Sequence, residues 1–214
     1  MTGSLATKNI NLMDRELLEH ILHISRRMAE TRALQPLMNF VLDEAIKLVG
    51  AERGYVVVLQ TDGSLTSPIK RKQGGQPLEE EEDQISRSVL RQVVDTGESL
   101  VLRDAQSDPR FSGAASVAML KLRSVMCVPL MTHGDILGAI YVENRRVSDR
   151  FSEDDLPPLI LFANQAAVAI ENARLNEELE ARVAARTYEL EQAMQQVEKG
   201  WSEAVEANRL RTVW

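Results

Sequence analysis

The sequence has a single cysteine, a deficit of positive charge and no apolar run long enough to span a bilayer, and each shortage excludes something. Cys127 is the only thiol among 214 residues, so no internal disulfide can form and a reducing, cytoplasmic setting is expected. The formal net charge of -7 argues against a nucleic-acid surface, which needs basic side chains to neutralise phosphates. It argues equally against docking on an anionic membrane. No apolar stretch approaches the roughly 20 residues a membrane helix needs. The N-terminal segment MTGSLATKNINLMDREL also lacks the apolar core of a signal peptide. There is no GxxxxGK phosphate loop, no HExxH and no nucleophile elbow, so neither a catalytic set nor a metal set can be assembled. The chain is read as not an enzyme.

What is present is globular: 44% hydrophobic and 27% charged residues, enough for one domain with an extension. Residues 1–11 are polar and aperiodic, and read as a disordered tail. In segment 12–32 the apolar stripe Leu17, Leu18, Ile21, Ile24 and Met28 steps by helical intervals, predicting an N-terminal dimerisation helix. Leu34, Leu37, Met38, Val41, Ala45 and Leu48 predict a second helix, with Gly50 as its cap. The period then changes. GYVVVLQ (54–60) reads as a buried strand, Asp62-Gly63 as a hairpin turn and Leu65–Ile69 as the returning strand. Lys70 to Pro77 reads as a loop, and Ile85, Val89, Val93 and Val94 as a helix closed near Gly97. Ser99–Leu102 is a short strand, 104–112 an irregular loop and Ala114–Leu120 a short helix. Strands Arg123–Met131 and Ile136–Glu143 follow, joined at His133-Gly134-Asp135, and the pattern is helical from Ser152 onward. Strands joined by hairpins give an α+β domain over 33–175, with an antiparallel sheet flanked by helices and a long C-terminal coiled-coil helix over 176–214.

These residues resemble a known family, the GAF domains. LMNFVLDEAIKLVGAERGYVVVL (37–59) is similar to their opening helix and first strand. The likeness continues through ISRSVLRQVVDTGESLVLRDAQSDPRF (85–111), LRSVMCVPL (122–130), LGAIYVEN (137–144), FSEDDL (151–156) and AAVAIENARL (166–175). The resemblance implies a GAF/PAS-like sheet with a small-molecule pocket on one face and helices that dimerise on the other. It also implies a sensory role in signal transduction, of the two-component type, feeding a histidine kinase, a cyclase or another output in cis or trans. The family hosts cyclic-nucleotide, bilin, haem and amino-acid-type ligands, and the sequence leaves the ligand, or whether one exists, unknown.

Cyclic-nucleotide GAF domains carry an Asn-Lys … Phe-x-x-x-Asp-Glu signature. Asn144, Phe151 and Asp155 match it, Arg145 keeps the charge of the lysine, and Leu156 replaces the final glutamate. The resemblance implies an Arg145–Asp155 salt bridge tying the last strand to the last helix. The residues alone favour a cap: Ser152 with Asp155 three positions on approximates a capping box, and Glu153, Asp154 and Asp155 suit the helix dipole. A cyclic nucleotide is possible but not favoured. The family's bilin-attachment cysteine is usually followed by histidine, whereas Cys127 precedes Val128, so no bilin is expected and Cys127 reads as buried and inert. His20 and His23 share a helix face without a third ligand nearby, and the acidic run Glu79–Asp83 reads as a solvated helix start.

The pocket implied by the family lies between the sheet and the segment around 104–120. Its candidate lining is Ser86, Phe111, Ser116, Met119, Ser124, Met126 and Tyr141, mostly small or apolar residues that suit a neutral or planar ligand. Core filling accounts equally well for Phe111, Met119 and Met126.

Along the last helix Val168, Asn172, Leu175 and Leu179 step by four, three and four, Val183 and Thr187 add two further fours, and Leu190, Met194, Val197 and Trp201 resume the alternation. This is a two-helix seam with an interruption that loosens the supercoil. It predicts a parallel homodimer joined by the N-terminal stripe. The alternative is a ligand-free GAF dimerisation scaffold with a filled pocket.

Overall fold

A computed structural model describes residues 22–60, 62–79, 85–111 and 120–211. Contacts divide the chain into two compact units, Met1–Ala173 and Arg174–Trp214.

In the first unit, helix α1 covers the described residues 22–30 and buries Ile24 and Met28, two positions of the expected stripe. The rest of that stripe, and His20, lie outside the described residues. Helix α2 (Leu34–Val49) buries Leu37, Met38, Val41, Leu42, Ala45, Ile46 and Val49, positions three or four apart on one face. Gly50 ends it with φ 61°, the left-handed conformation glycine adopts at little cost.

Among the described residues, six strands follow around helix α3 (Arg87–Thr96). They are β1 (Arg53–Leu59), β2 (Leu65–Lys72), β3 (Gln76–Pro77), β4 (Leu100–Leu102), β5 (Ser124–Thr132) and β6 (Asp135–Asn144). They form one antiparallel sheet in the order β3-β2-β1-β6-β5-β4. The β1–β2 turn is held by the Asp62 carboxylate, which accepts the Ser64 N–H at 2.8 Å, an arrangement typical of Asp before Gly.

The expected loop at Lys70–Pro77 is instead strand as far as Lys72, followed by a turn and the short strand β3. Side chains explain it: Arg71 bonds the Asp43 carboxylate and the Asn39 side chain of α2, and its guanidinium also reaches the Gly75 carbonyl. The basic residues therefore hold the strand against the helix. The expected short helix at Ala114–Leu120 falls almost wholly outside the described residues.

A strand's side chains alternate between faces, and here both faces are covered. One carries Val56, Met126, Val128, Leu130, Ile140 and Val142, packed with α1, α2 and the first turns of helix α4 through Leu159, Phe162, Ala166 and Ile170. The other carries Tyr55, Val57, Val125, Cys127, Ala139 and Tyr141, packed with α3 and with Phe111, Leu120 and Leu122. Gly138 permits the close β1–β6 approach, since a Cβ there would meet the Val57 carbonyl oxygen at 1.9 Å.

A short 3₁₀ turn, Glu153–Asp155, leads into α4 (Leu156–Arg211). Pro157 and Pro158 occupy its first turn, where backbone N–H groups have no intrahelical acceptor to lose. In the second unit the helix exposes every described side chain from 174 to 205. Among the described residues no helix is long and apolar enough to cross a membrane.

Candidate functional site

The antiparallel register brings a polar group onto the face shared by Tyr55 and Tyr141. Arg53 lies opposite Glu143 and Tyr55 opposite Tyr141 across β1–β6, while Val125 and Cys127 flank them from β5. The two tyrosine rings meet edge to face, with centroids 5.8 Å apart, a favourable aromatic geometry. Glu143 is fully buried. Its Oε1 accepts Arg145 Nε at 2.6 Å and lies 3.9 Å from Arg53 Nε. Arg53 Nη2 also donates to Glu52 Oε1 at 3.0 Å, and Glu52 Oε2 accepts the Arg145 N–H at 3.2 Å. Two acids and two arginines thus interlock at one end of the face.

The surroundings tune these groups unequally. Burial raises the Glu143 carboxyl above its ordinary value and outweighs the opposing pull of Arg145, Tyr141 and Arg53. Burial acts the same way on half-buried Glu52, but there the hydrogen bond from Arg53 and the Arg145 N–H prevail and lower it. Burial pushes the Tyr141 phenol well up, and the neighbouring Glu143 charge adds to the shift. Burial also pushes up the Cys127 thiol. Among the described residues, buried Tyr141 Oη and Glu143 Oε2 interact with each other and bond no other group.

Of the seven candidate lining residues, Tyr141 and Phe111 belong to one packed cluster on this face. Ser86 is buried at the start of α3, with its hydroxyl 3.2 Å from that of Ser88. Ser116 and Met119 lie outside the described residues. Met126 is corrected: β5 alternation sends it to the opposite face, among α2 and α4 side chains. Ser124 is corrected too. Its hydroxyl donates to the Leu102 carbonyl and accepts the Phe151 N–H, both at 3.1 Å, so it ties the chain together and is not open to a ligand.

The Arg145–Asp155 bridge is likewise corrected. Arg145 joins Glu143, while Asp155 Oδ2 accepts the Ser152 N–H at 2.8 Å and the Ser152 hydroxyl at 3.0 Å. A helix start demands partners for its free N–H groups, and Asp155 supplies one. Asn144 Oδ1 accepts the N–H groups of Arg146 and Val147 at 3.1 and 2.9 Å, shaping the turn after β6. Phe151 is buried in the α2–α4 cluster. All four residues of the signature therefore have structural partners.

Sequence reasoning missed Arg53, Glu52 and Glu143. The signal was available for Glu143: a charge two residues after Tyr141 in an apolar strand lies on the face Tyr141 occupies. His133 in the β5–β6 turn is exposed, 3.5 Å from Glu171 Oε2, which also accepts the Thr132 hydroxyl at 2.9 Å. No group of His, Cys, Asp and Glu suited to a metal occurs among the described residues. A cavity of about 470 Å³ lies along the β4 edge, walled by Arg103, Asp104, Asp108, Arg110, Asp149 and Glu153. It includes none of the seven candidates.

Comparison with known proteins agrees with this architecture. The chain is 30% identical over 88 residues to the hybrid signal transduction histidine kinase G of Dictyostelium discoideum, covering 41% of this chain and 3% of the kinase. It is 30% identical over 92 residues to the dual 3',5'-cyclic-AMP and -GMP phosphodiesterase 11A of Takifugu rubripes, covering 42% of this chain and 10% of that enzyme. The chain thus spans only a small part of either relative. The GAF domain of an Acinetobacter phosphoenolpyruvate-protein phosphotransferase superposes with a TM-score of 0.58 at 18% identity, covering 74% of this chain and 94% of that domain. With a GAF domain family model matching residues 31–171, and a two-sided antiparallel sheet to accommodate it, the chain belongs to the GAF domain family.

Proposed function

We propose that this chain is a sensory module of a signalling protein. It binds a small molecule on the α3 face of its sheet and relays that event through a homodimeric coiled coil. The output is a kinase, cyclase or similar domain, in cis or as a separate partner, and the chain itself carries out no catalysis. One observation carries the relay: the α4 seam is uncovered. Leu175, Leu179, Val183, Leu190, Met194, Val197 and Trp201 are between 50% and 73% exposed. Side chains of that size at coiled-coil spacing are stabilised by burial against a second helix. A partner copy brings an identical stripe.

Relatives of this family act in a histidine kinase and a phosphodiesterase, which supports a regulatory rather than catalytic part. The chemistry agrees, because Cys127 is buried and burial pushes its thiol up. In the relay, a ligand that favours one of two arrangements of the sheet biases the register of the seam.

A ligand-free scaffold is the second reading, favoured by the complete burial of Ser86 and Tyr141. Native mass spectrometry of protein purified from its own host decides between them. A co-purifying small molecule supports the sensor, and its consistent absence supports the scaffold. Sedimentation equilibrium at micromolar concentration tests the dimer, and a monomer there overturns the relay.

A further inference from the structure

The face of α4 buried against the sheet includes Ala163, Ala166, Ala167 and Ala173. Such a face is smooth, and apolar contact has no direction of its own, so it fixes the rotation of the helix only weakly. A directional contact is made at the tip of the β5–β6 hairpin. The buried Thr132 donates its hydroxyl to Glu171 Oε2 of α4 at 2.9 Å. His133 Nδ1 lies 2.9 Å from that hydroxyl and 3.5 Å from the same carboxylate oxygen. On the helix surface Glu171 neighbours Val168 and Leu175, three residues before and four after it, which are exposed seam positions.

The backbone aims this tip. The β5–β6 register shifts between Leu130 and Met131, and a bulge bends its strand and redirects the side chains beyond it. His133 and Gly134 then turn with φ of 52° and 91°, a pairing that suits a tight hairpin. Glycine enters that region freely, whereas histidine does so against its Cβ. The other side of the tip bears on α3. A Cβ at Gly97, the cap of α3, would stand 3.6 Å from Ile136 Cδ1 and 3.8 Å from Met131 Sδ. Alternation along the strands therefore gives one hairpin end two contacts, Met131 and Ile136 with α3 and Thr132 with α4.

We propose that this hairpin tip is a latch that sets the rotation of α4, with Glu171 as its positioning residue. Thr132 and His133 hold the carboxylate, and α3 fixes where the tip stands. A shift of α3 moves the tip, the hold on Glu171 changes, and the seam turns with the helix that carries it. The inference rests on the relay reading and names the contact through which it acts.

The test uses the full chain with a cysteine introduced at seam position Leu175 or at its neighbour Asn176. Cys127 is fully buried and stays in place. Disulfide formation between copies is timed under mild oxidation, and the ratio of the Leu175→Cys rate to the Asn176→Cys rate reports the rotation of the helix. Faster cross-linking is expected at Leu175→Cys. Adding Thr132→Val or Glu171→Gln should lower the ratio about threefold or more, within the range of residues that couple two sites. Thr132→Ser keeps the hydroxyl and should keep the ratio. Ile136→Ala, on the α3 side, should also lower it, and lower it no further once Glu171→Gln is present. Circular dichroism of each variant checks that the sheet persists. An unchanged ratio in both Thr132→Val and Glu171→Gln overturns the latch while the dimer stands. So does a Thr132→Ser variant as disruptive as Thr132→Val, or full additivity of Ile136→Ala and Glu171→Gln. Absence of any cross-link at either position overturns the relay reading together with the latch.

Discussion

Glu143 stands directly across β1–β6 from Arg53, yet its closer partner is Arg145, two residues further along its own chain. The carboxylate is thus clamped from two sides in a fully buried place, and burial still raises its proton affinity above the ordinary value of 4.5. The sign of the linkage follows. A carboxyl that holds its proton more tightly when folded contributes stability below its unfolded value and loses that contribution as pH rises through the folded one. Glu143→Gln keeps the neutral form at every pH. The stability of the variant relative to wild type should therefore increase from about pH 4.5 upward. Urea midpoints measured across pH 4–8 check this, and parallel curves would show that Glu143 is not raised.

Cys127 should resist modification. It is fully buried, opposite Tyr141 in β6, with its thiol pushed up by burial. Alkylation of the native protein is expected to run at least about a hundredfold slower than that of the urea-unfolded chain, because it requires opening of the sheet. Rapid labelling under native conditions would mean that this strand is accessible.

Ser124→Ala should destabilise the first unit by about 1–3 kcal/mol. The substitution deprives the Leu102 carbonyl and the Phe151 N–H of one shared partner at a buried site. Ser124→Thr keeps the hydroxyl and should recover part of the loss. Thermal unfolding reads both.

Asp155→Ala should cost about 1 kcal/mol, the usual worth of a helix cap, because Asp155 holds both the N–H and the hydroxyl of Ser152. Ligand affinity should be unchanged. A large loss of binding without a loss of stability would return Asp155 to the role its place in the family signature suggests.

Leu190→Glu, at an exposed seam position, should shift sedimentation from dimer to monomer while the circular dichroism of the sheet persists. An exposed helix face with no partner would tolerate the change with no effect on mass.

The sheet was readable where one strand differs from the next in kind. GYVVVLQ, the Asp62-Gly63 turn and the glycines after α2 and α3 mark their elements by local chemistry alone. β5 was not readable in the same way. Eight of its nine residues are buried, so no polar alternation distinguishes the neighbours Met126 and Cys127, which face opposite cores. Lys70-Arg71-Lys72 resembled a loop because the partner that makes Arg71 useful in a strand is Asp43, far away in sequence. The candidate site suffered likewise. Tyr141 was recognisable from the family, but the four-residue charge cluster around Glu143 exists only once β1 and β6 are set in register.

The alternation along β6 has a mechanical meaning. Tyr141 and Glu143 face one compartment, while Ile140 and Val142 face the other, where they belong to the cluster containing Leu159 and Phe162 of α4. The strand is a single wall between two tightly filled rooms. Under the proposed relay, a small roll of β6 that gives way on the Tyr141 side presses on the α4 side, and the sheet serves as a diaphragm between the two clusters.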